Sequence, residues 1–258
     1  DGVAPVGKHM IEGAKIILGG ARHLDMLPDH IQADQWQWKS PISATLTDLE
    51  GYVGTPICVL ATGDPMSYGI GVTLGRKFGL DALTVIPAIG AFSHAAAQMG
   101  WSLPDVDCFT LHGRARELLS LHLVPNAKLL ILSKNGETPA YVARHLCENG
   151  FGDSPLTVLS HLGGPKQTVI SHEANAWGNL QTDDLNTIAV DLVAGPNANW
   201  YSRHASLPDD AFIHDGQLTK REMRAVTLSN LQPYSGALLW DVGSGCGSIA
   251  IEWMRAGG

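Results

Sequence analysis

From residue 57 onward, short β-rich runs alternate with segments of helical length, and this alternation restricts the fold more than any other feature of the chain. Strands are predicted at residues 15–18, 57–60, 83–86, 128–132, 156–160, 167–170 and 187–192, and helices at 70–78, 91–99 and 140–147. Such alternation is typical of βαβ units and a mostly parallel sheet, whereas the close spacing of the last strands allows antiparallel pairs. We therefore expect an α/β fold.

The length of the chain and one aperiodic stretch predict two domains. With 258 residues, 45% of them hydrophobic, the chain exceeds the roughly 150 residues of a common single domain. Between residues 194 and 210 the periodicity is lost and Gly, Pro, Asn and Asp accumulate, as in an interdomain connection. We predict a first domain at 1–195, a linker at 196–210 and a second domain at 211–258.

Charge and composition argue against several classes of protein. The formal net charge is −8 and the isoelectric point is near 5.7, whereas a nucleic-acid-binding protein needs a basic face. No apolar run approaches the roughly 20 residues of a membrane span and no signal peptide is evident, so we expect a cytoplasmic protein. The four cysteines lie far apart without a CxxC pair, which predicts reduced, buried thiols. Since HExxH is absent, we expect no metal.

A glycine-rich loop near the C-terminus lies between a predicted buried strand at 238–240 and a predicted helix. It consists of Gly243, Ser244, Gly245, Cys246 and Gly247. Glycines let a ligand approach the backbone, and the N-terminus of the next helix offers unpaired N–H groups. Ser248 stands where a dinucleotide fingerprint has its third glycine. With Asp241 before it, the loop resembles motif I of class I S-adenosylmethionine-dependent methyltransferases; the alternative is an ordinary strand-to-helix turn.

The segment before this loop, GQLTKREMR at residues 216–224, predicts a helix near 220–230. Thr219 is its expected N-cap and Glu222 follows three residues later, as in a capping box. Together with the loop, the segment resembles the start of the decarboxylating precorrin methyltransferase domains, in which TK-x-E-x-R precedes motif I. The resemblance implies that Thr219 and the loop contact S-adenosylmethionine and that Lys220 and Arg224 bind substrate carboxylates. The acidic residue of the next strand is absent, so we expect the truncated start of a Rossmann-like domain.

A second loop, after the strand predicted at 57–60, contains Gly63, Asp64, Pro65 and Tyr68. Loops at the carboxyl ends of parallel strands are where open α/β sheets bind ligands, although such a turn is also common without a ligand. Followed by VIPAIGAFSHAAAQMGW, LHGRA and LLILSKNGETPAYVARHL, the loop resembles the tetrapyrrole methylase family over about residues 15–196. GGARHLDMLP, at residues 19–28, is similar to the N-terminal half of the decarboxylating precorrin methyltransferases.

The tetrapyrrole methylase resemblance implies two α/β subdomains with a cleft, and a site for S-adenosylmethionine. By this resemblance, the cofactor site is lined by Gly63, Asp64, Pro65 and Tyr68, with Ser93 beside them and Leu132 contributing backbone contacts. In this chain Ala88 replaces the usual glycine after the family's fourth strand. The family's first strand, with its glycine-rich loop, is expected to be missing before Asp1.

The two resemblances together imply an enzyme of cobalamin biosynthesis. It would methylate a precorrin from S-adenosylmethionine at C5 and C15 and, with the full C-terminal domain, decarboxylate an acetate side chain. Such transfer needs alignment and exclusion of water, so we expect no catalytic triad, metal or PLP, and the sequence leaves the catalytic base open. Arg22, Arg114, Arg116 and Lys134 are candidates for substrate carboxylates, unless they are ordinary solvated charges. The family also implies a homodimer.

Two other interpretations stay open. Diphthine synthase and the rRNA ribose methyltransferases share the expected N-terminal fold, although the acidic chain and the GQLTKREMR segment with its glycine-rich loop count against both. Alternatively, the chain is a truncated, non-catalytic fragment that serves in binding or assembly.

Overall fold

The computed structural model describes residues 3–202 and 206–257, and the chain divides into two compact units. The first unit comprises Asp1–His94 and the second Ala95–Gly258. This division falls inside the predicted first domain, and the predicted boundaries at 195 and 211 stay a prediction. Within the described ranges, no helix is both long and apolar enough to cross a membrane, and no three His, Cys, Asp or Glu side chains are grouped to hold a metal ion.

The first unit is built on a parallel three-stranded sheet. Strand β1 (Ile16–Gly19) lies between β2 (Asp34–Gln37) and β3 (Ile57–Val59). The helices are α1 (Pro5–Gly13), α2 (Ala21–Leu24), α3 (Ile42–Leu49) and α4 (Ile70–Phe78). Leu18 of β1, Leu49 of α3 and Leu74 of α4 form the core. Because β1 and β3 run in the same direction, the loops that follow them leave the sheet at the same edge.

In the first unit three predicted elements are confirmed, one predicted strand is wrong and one observed strand was not predicted. The strands at 15–18 and 57–60 and the helix at 70–78 are confirmed to within one residue. The strand predicted at 83–86 is wrong, because the segment pairs with no strand in the described part of the chain and Val85 is exposed. Strand β2 was missed, since its sequence DQWQ is polar and mostly exposed at the sheet edge.

The second unit contains a mixed five-stranded sheet in the order β4-β5-β8-β6-β7. Its strands are β4 (Val106–Thr110), β5 (Lys128–Leu132), β6 (Pro155–Ser160), β7 (Thr168–Glu173) and β8 (Asn186–Asp191). Among the described strands of this five-stranded sheet, only β4 and β5 pair in parallel. The antiparallel pairs allowed by the spacing are therefore confirmed, and the prediction of a mostly parallel sheet is wrong for this unit.

Two predicted helices, α5 (Ala91–Met99) and α6 (Thr138–Glu148), are confirmed. In α6, Pro139 lies in the first turn, where its missing N–H costs no helical hydrogen bond. Val142 and Leu146 are four residues apart and therefore face the same side, where both are fully buried against the five-stranded sheet. The alternation of polar and apolar residues along α6 thus accounts for its position on the sheet.

The C-terminal part of the second unit contains α7 (Arg221–Leu231) and α8 (Ser248–Arg255). The buried strand predicted at 238–240 is wrong: Leu238 and Trp240 are 84% and 82% exposed, and no described strand pairs with this segment. An apolar run forms a strand only beside a hydrogen-bonding partner. The predicted N-cap is also wrong, because α7 is preceded by Lys220 and no side-chain cap bond forms.

Candidate functional site

The loop after β3 turns sharply at Gly63. This residue has φ +63°, and its carbonyl accepts a hydrogen bond from the Ala88 N–H at 3.3 Å. A Cβ atom at Gly63 would lie 2.9 Å from the Gly90 Cα atom, closer than van der Waals contact allows. The backbone of residue 63 therefore lies directly against residues 88–90, and only glycine suits both the conformation and the space.

Asp64 and Pro65 close the turn. The Asp64 Oδ1 atom accepts a hydrogen bond from the Met66 N–H at 2.8 Å, and the Asp64 carbonyl accepts one from the Ser67 N–H at 3.1 Å. The Pro65 carbonyl accepts a hydrogen bond from the Gly71 N–H at 2.9 Å, which joins the turn to the first residues of α4. The aspartate side chain thus holds the turn through one oxygen.

Tyr68 and Ser93 carry exposed side chains beside this turn. Tyr68 has φ +55° and is 49% exposed, and its ring packs edge-on against Phe92 with centroids 6.0 Å apart. Ser93 follows Phe92 and is exposed at the start of α5. The first unit therefore brings four of the predicted site residues together in one turn, Gly63, Asp64, Pro65 and Tyr68, and Ser93 is the neighbour of Phe92, which contacts Tyr68.

Leu132, the sixth predicted residue of this group, belongs to the second unit. It is the last residue of β5, where it is half-buried. Its carbonyl accepts a hydrogen bond from the Leu111 N–H at 3.0 Å, so this backbone oxygen already has a partner within the unit.

A cluster of Arg22, His23 and Thr62 joins α2, which follows β1, to the loop after β3. The Arg22 Nη2 atom donates to Thr62 Oγ1 at 2.8 Å, and the His23 Nε2 atom lies 2.9 Å from the same hydroxyl and 3.2 Å from Arg22 Nη2. Burial, and then the charge of Arg22, lower the pKa of His23. Sequence reasoning missed His23 and Thr62; their position after two adjacent parallel strands was the available signal.

The C-terminal glycine-rich loop is open. Gly243, Gly245 and Gly247 all have positive φ, and a Cβ atom added at any of them would meet nothing within 4 Å. The Gly247 N–H donates to the Ser244 carbonyl at 2.8 Å, and α8 begins at Ser248. Cys246 lies half-buried within the loop. The loop therefore presents its backbone and a helix N-terminus, as predicted, while Thr219 lies exposed before α7.

Comparison with protein families matches residues 1–175 to the tetrapyrrole (corrin/porphyrin) methylases. The chain belongs to the tetrapyrrole methylase family. Residues 210–258 match a second family, described as a precorrin methyltransferase domain. Two family regions thus follow one another along this tetrapyrrole methylase.

A curated relative from Sinorhizobium sp is named precorrin-6Y C(5,15)-methyltransferase [decarboxylating]. This tetrapyrrole methylase is 40% identical to it over 259 residues, which cover 99% of the chain and 63% of the relative. The chain therefore spans less than two thirds of the length of that relative.

Solved structures share the tetrapyrrole methylase fold. The methyltransferase CobJ aligns with a TM-score of 0.59 at 15% identity, over 76% of this chain and 91% of CobJ. A diphthine synthase aligns with a TM-score of 0.59 at 10% identity, over 74% of this chain and 84% of that one. These likenesses confirm the predicted α/β tetrapyrrole methylase fold, and they do not distinguish between the activities found on it.

The prediction that Arg224 of this tetrapyrrole methylase binds substrate carboxylates is wrong. The side chain is completely buried, with Nε donating to Glu252 Oε1 at 2.9 Å and Nη1 donating to Asp209 Oδ1 at 2.8 Å. Nη1 and Nη2 also donate to the Thr219 and Leu207 carbonyls. With its donors occupied by the protein, Arg224 joins α7, α8 and the segment before them. The hydrogen bond from Arg224 also lowers the pKa of Asp209.

The other cationic side chains that were predicted to bind substrate carboxylates lie at the surface. Lys220, Arg114, Arg116 and Lys134 are exposed, and their role toward substrate stays a prediction. Arg116 stacks over the Tyr141 ring at 4.9 Å.

The prediction of buried cysteines is wrong: Cys147 is exposed and the free thiols of Cys58, Cys108 and Cys246 are only half-buried.

Proposed function

We propose that this chain methylates a carbon atom of a precorrin with S-adenosylmethionine, which is held at the loop of residues 62–69. The observation that carries the proposal is the turn at Gly63, Asp64 and Pro65, placed at the carboxyl edge of a parallel sheet in a tetrapyrrole methylase. The 40% identity to a protein named precorrin-6Y C(5,15)-methyltransferase supports a precorrin as substrate.

The residues at this loop suit S-adenosylmethionine chemically. Asp64 uses one carboxylate oxygen for its turn, and no other described group bonds to this carboxylate, so the second oxygen can accept from an ammonium or hydroxyl group. The exposed Tyr68 ring suits an aromatic base, and Ser93 offers an exposed hydroxyl. The absence of a side chain at Gly63 keeps the turn tight against residues 88–90.

Bound S-adenosylmethionine supplies an electrophilic methyl group to an electron-rich ring carbon by in-line displacement. The chain itself then has to orient the ring carbon, exclude water and hold the substrate carboxylates. The turn at residues 63–65 is fixed by hydrogen bonds from Met66, Ser67 and Gly71. It therefore suits the orientation of the methyl donor toward the ring carbon, because its geometry is set before binding. No side chain is assigned as a base.

For the C-terminal region, the proposal is a second S-adenosylmethionine site that serves a second methylation and decarboxylation of an acetate side chain in the whole protein. Its residues are Thr219, Gly243, Ser244, Gly245, Cys246 and Gly247. The match of residues 210–258 to a precorrin methyltransferase domain and the open loop before α8 support it. The domains of the proposal remain 1–195, 196–210 and 211–258, and residues 203–205 of its linker lie outside the described residues.

The proposal includes action in the cytoplasm as a homodimer with a small tetrapyrrole as its ligand. The dimer is supported only by what the family implies, and light scattering coupled to gel filtration measures it. A monomer at micromolar concentration would contradict this part of the proposal and leave the proposed activity intact.

The activity is tested by incubating the full chain with methyl-labelled S-adenosylmethionine and a precorrin substrate. We expect the label in the tetrapyrrole fraction, with a mass gain of one methyl group. Label in a protein acceptor would support the rival diphthine synthase-like activity, for which the shared fold is the only observation. No transfer, together with no binding of S-adenosylhomocysteine, would support a non-catalytic fragment.

A further inference from the structure

Arg22 and Thr62 lie together at the carboxyl edge of the first sheet. Arg22 follows β1 and Thr62 follows β3, and these two strands are parallel neighbours, so both residues leave the sheet at its carboxyl edge. The 2.8 Å hydrogen bond from Arg22 Nη2 to Thr62 Oγ1 joins α2 directly to the loop after β3. Thr62 immediately precedes Gly63, so Arg22 is fixed beside the proposed cofactor loop.

The guanidinium of Arg22 is exposed and has no carboxylate partner among the residues the structure describes. Two other cations of the first unit are paired: Lys39 Nζ lies 2.5 Å from Asp48 Oδ2, and Lys77 forms an ion pair with Glu50. Arg22 is instead held by neutral groups, a hydroxyl and an imidazole. Its positive charge is therefore oriented without being neutralised.

His23 orients Arg22 and adds no charge of its own. A guanidinium has only donors, so the 3.2 Å contact requires His23 Nε2 to accept, which leaves the proton on Nδ1. The Nδ1 atom is buried with no partner in the described structure, and burial together with Arg22 lowers the pKa of His23. A neutral imidazole is consistent with both observations.

We propose that Arg22 binds a peripheral carboxylate of the tetrapyrrole substrate, with Thr62 and His23 as positioning residues. This inference rests on the proposed function, since it assigns the substrate side of the same site. An arginine fork matches a carboxylate through paired hydrogen bonds, and a guanidinium fixed in advance loses less freedom on binding. Its hydrogen bond to Thr62 places that carboxylate next to the loop of residues 62–69.

The test uses the full chain and isothermal titration with cobyrinic acid, a corrin with free carboxylates, and with its methyl ester. We expect Arg22→Gln to weaken binding of the acid about tenfold to a hundredfold, the range for losing a hydrogen bond to a charged group. Arg22→Lys keeps the positive charge but lacks the paired donors of the guanidinium, so its affinity for the acid should lie between those of wild type and Arg22→Gln. Arg76→Gln is the matched control. Arg76 is also exposed on the first unit, and we expect this substitution to leave the affinity for the acid unchanged.

The arms of the experiment separate the possible outcomes. Affinity for S-adenosylhomocysteine stays unchanged in both Arg22 variants, which also shows that they fold. Wild-type affinity for the acid in Arg22→Gln would overturn the Arg22 assignment and leave the proposed function standing. Loss of S-adenosylhomocysteine binding in folded Arg22→Lys would assign Arg22 to the carboxylate of that cofactor instead. A wild-type chain that binds S-adenosylhomocysteine and neither corrin would overturn the precorrin substrate as well.

Discussion

The Arg224 Nε atom donates a 2.9 Å hydrogen bond to Glu252 Oε1, and both side chains are excluded from solvent. Glu252 Oε1 also accepts from the Leu207 N–H at 3.0 Å, and the Arg224 guanidinium lies 4.6 Å from the centre of the Phe212 ring. This arrangement joins α7 to α8, the helix that begins directly after the glycine-rich loop. The arginine of the TKREMR segment is therefore a structural residue in this chain.

Removing Arg224 should destabilise the C-terminal part of the second unit strongly. We expect Arg224→Met to lower the free energy of unfolding by about 3–5 kcal/mol, because Glu252 is left as an unpaired buried charge. Arg221→Met is the matched control, since the Arg221 side chain is exposed and donates to the Ser206 carbonyl, and its cost should stay within about 0.5 kcal/mol. Chemical denaturation measures both. Adding Glu252→Gln to Arg224→Met should restore part of the stability; equal losses in the two single variants would contradict the structural role.

Gly63→Ala should disturb the cofactor loop more than an alanine at another left-handed glycine. At Gly54, φ is +88° and an added Cβ meets nothing within 4 Å, so the substitution costs only the conformational strain of about 1–2 kcal/mol. At Gly63 the same strain is joined by the 2.9 Å contact with Gly90. We expect a further loss of about 1–3 kcal/mol and weaker binding of S-adenosylhomocysteine for Gly63→Ala only. Thermal unfolding and calorimetry check this, and equal behaviour of the two variants would refute it.

His23 should make the stability of the first unit depend on pH. Its pKa is lowered in the folded chain from the ordinary value of 6.5, first by burial and then by Arg22. The unfolded chain therefore takes up the proton first, and stability falls as the pH drops below about 6.5 and continues to fall down to the folded-state pKa. His23→Gln should remove this contribution as the pH falls from about 7. Parallel slopes for wild type and His23→Gln would contradict the buried neutral imidazole.

Thr62 should act through Arg22. Thr62→Val removes the hydroxyl that accepts from Arg22, so we expect weaker binding of cobyrinic acid than in wild type, but a smaller loss than in Arg22→Gln. Thr62→Ser keeps the hydroxyl and should restore the affinity. In methyl transfer, the KM for the tetrapyrrole should rise more than kcat falls. A valine variant with wild-type KM would show that Thr62 does not position Arg22.

The sequence patterns that predicted the fold correctly were those with several consistent positions. The 70–78 and 91–99 helices and the strand at 128–132 have periodicity and clear boundaries, and the structure has all three. The apolar runs at 83–86 and 238–240 failed because a strand depends on a hydrogen-bonding neighbour, which a short run does not specify. The polar strand β2 was not predicted for the opposite reason, since its pairing with β1 makes it extended although it has no apolar pattern.

The turn at the candidate site could be predicted from the sequence because a single loop contains it. Residues 63–68 are contiguous, and their turn is visible in the order of Gly, Asp and Pro. The cluster of Arg22, His23 and Thr62 depends on two strands being neighbours. Thr62 lies about 40 residues after Arg22 and His23 in sequence, so the three residues are not recognisable as a group. The prediction that Arg224 binds substrate carboxylates is wrong, because its carboxylate partners are Asp209 and Glu252 of the chain itself.

Titration of the full chain with S-adenosylhomocysteine decides whether the loop of residues 62–69 holds the cofactor. Wild type should bind with a Kd on the order of micromolar, a range typical for a small ligand. Asp64→Asn keeps the Oδ1 acceptor of the turn and removes the charge, and Asp64→Ala removes both, so Asp64→Ala should bind at least about tenfold more weakly and Asp64→Asn should fall between. Asp81→Ala, an exposed acid of the same unit, should match wild type. An unchanged Kd in folded Asp64→Ala would contradict the assignment of the cofactor to this loop.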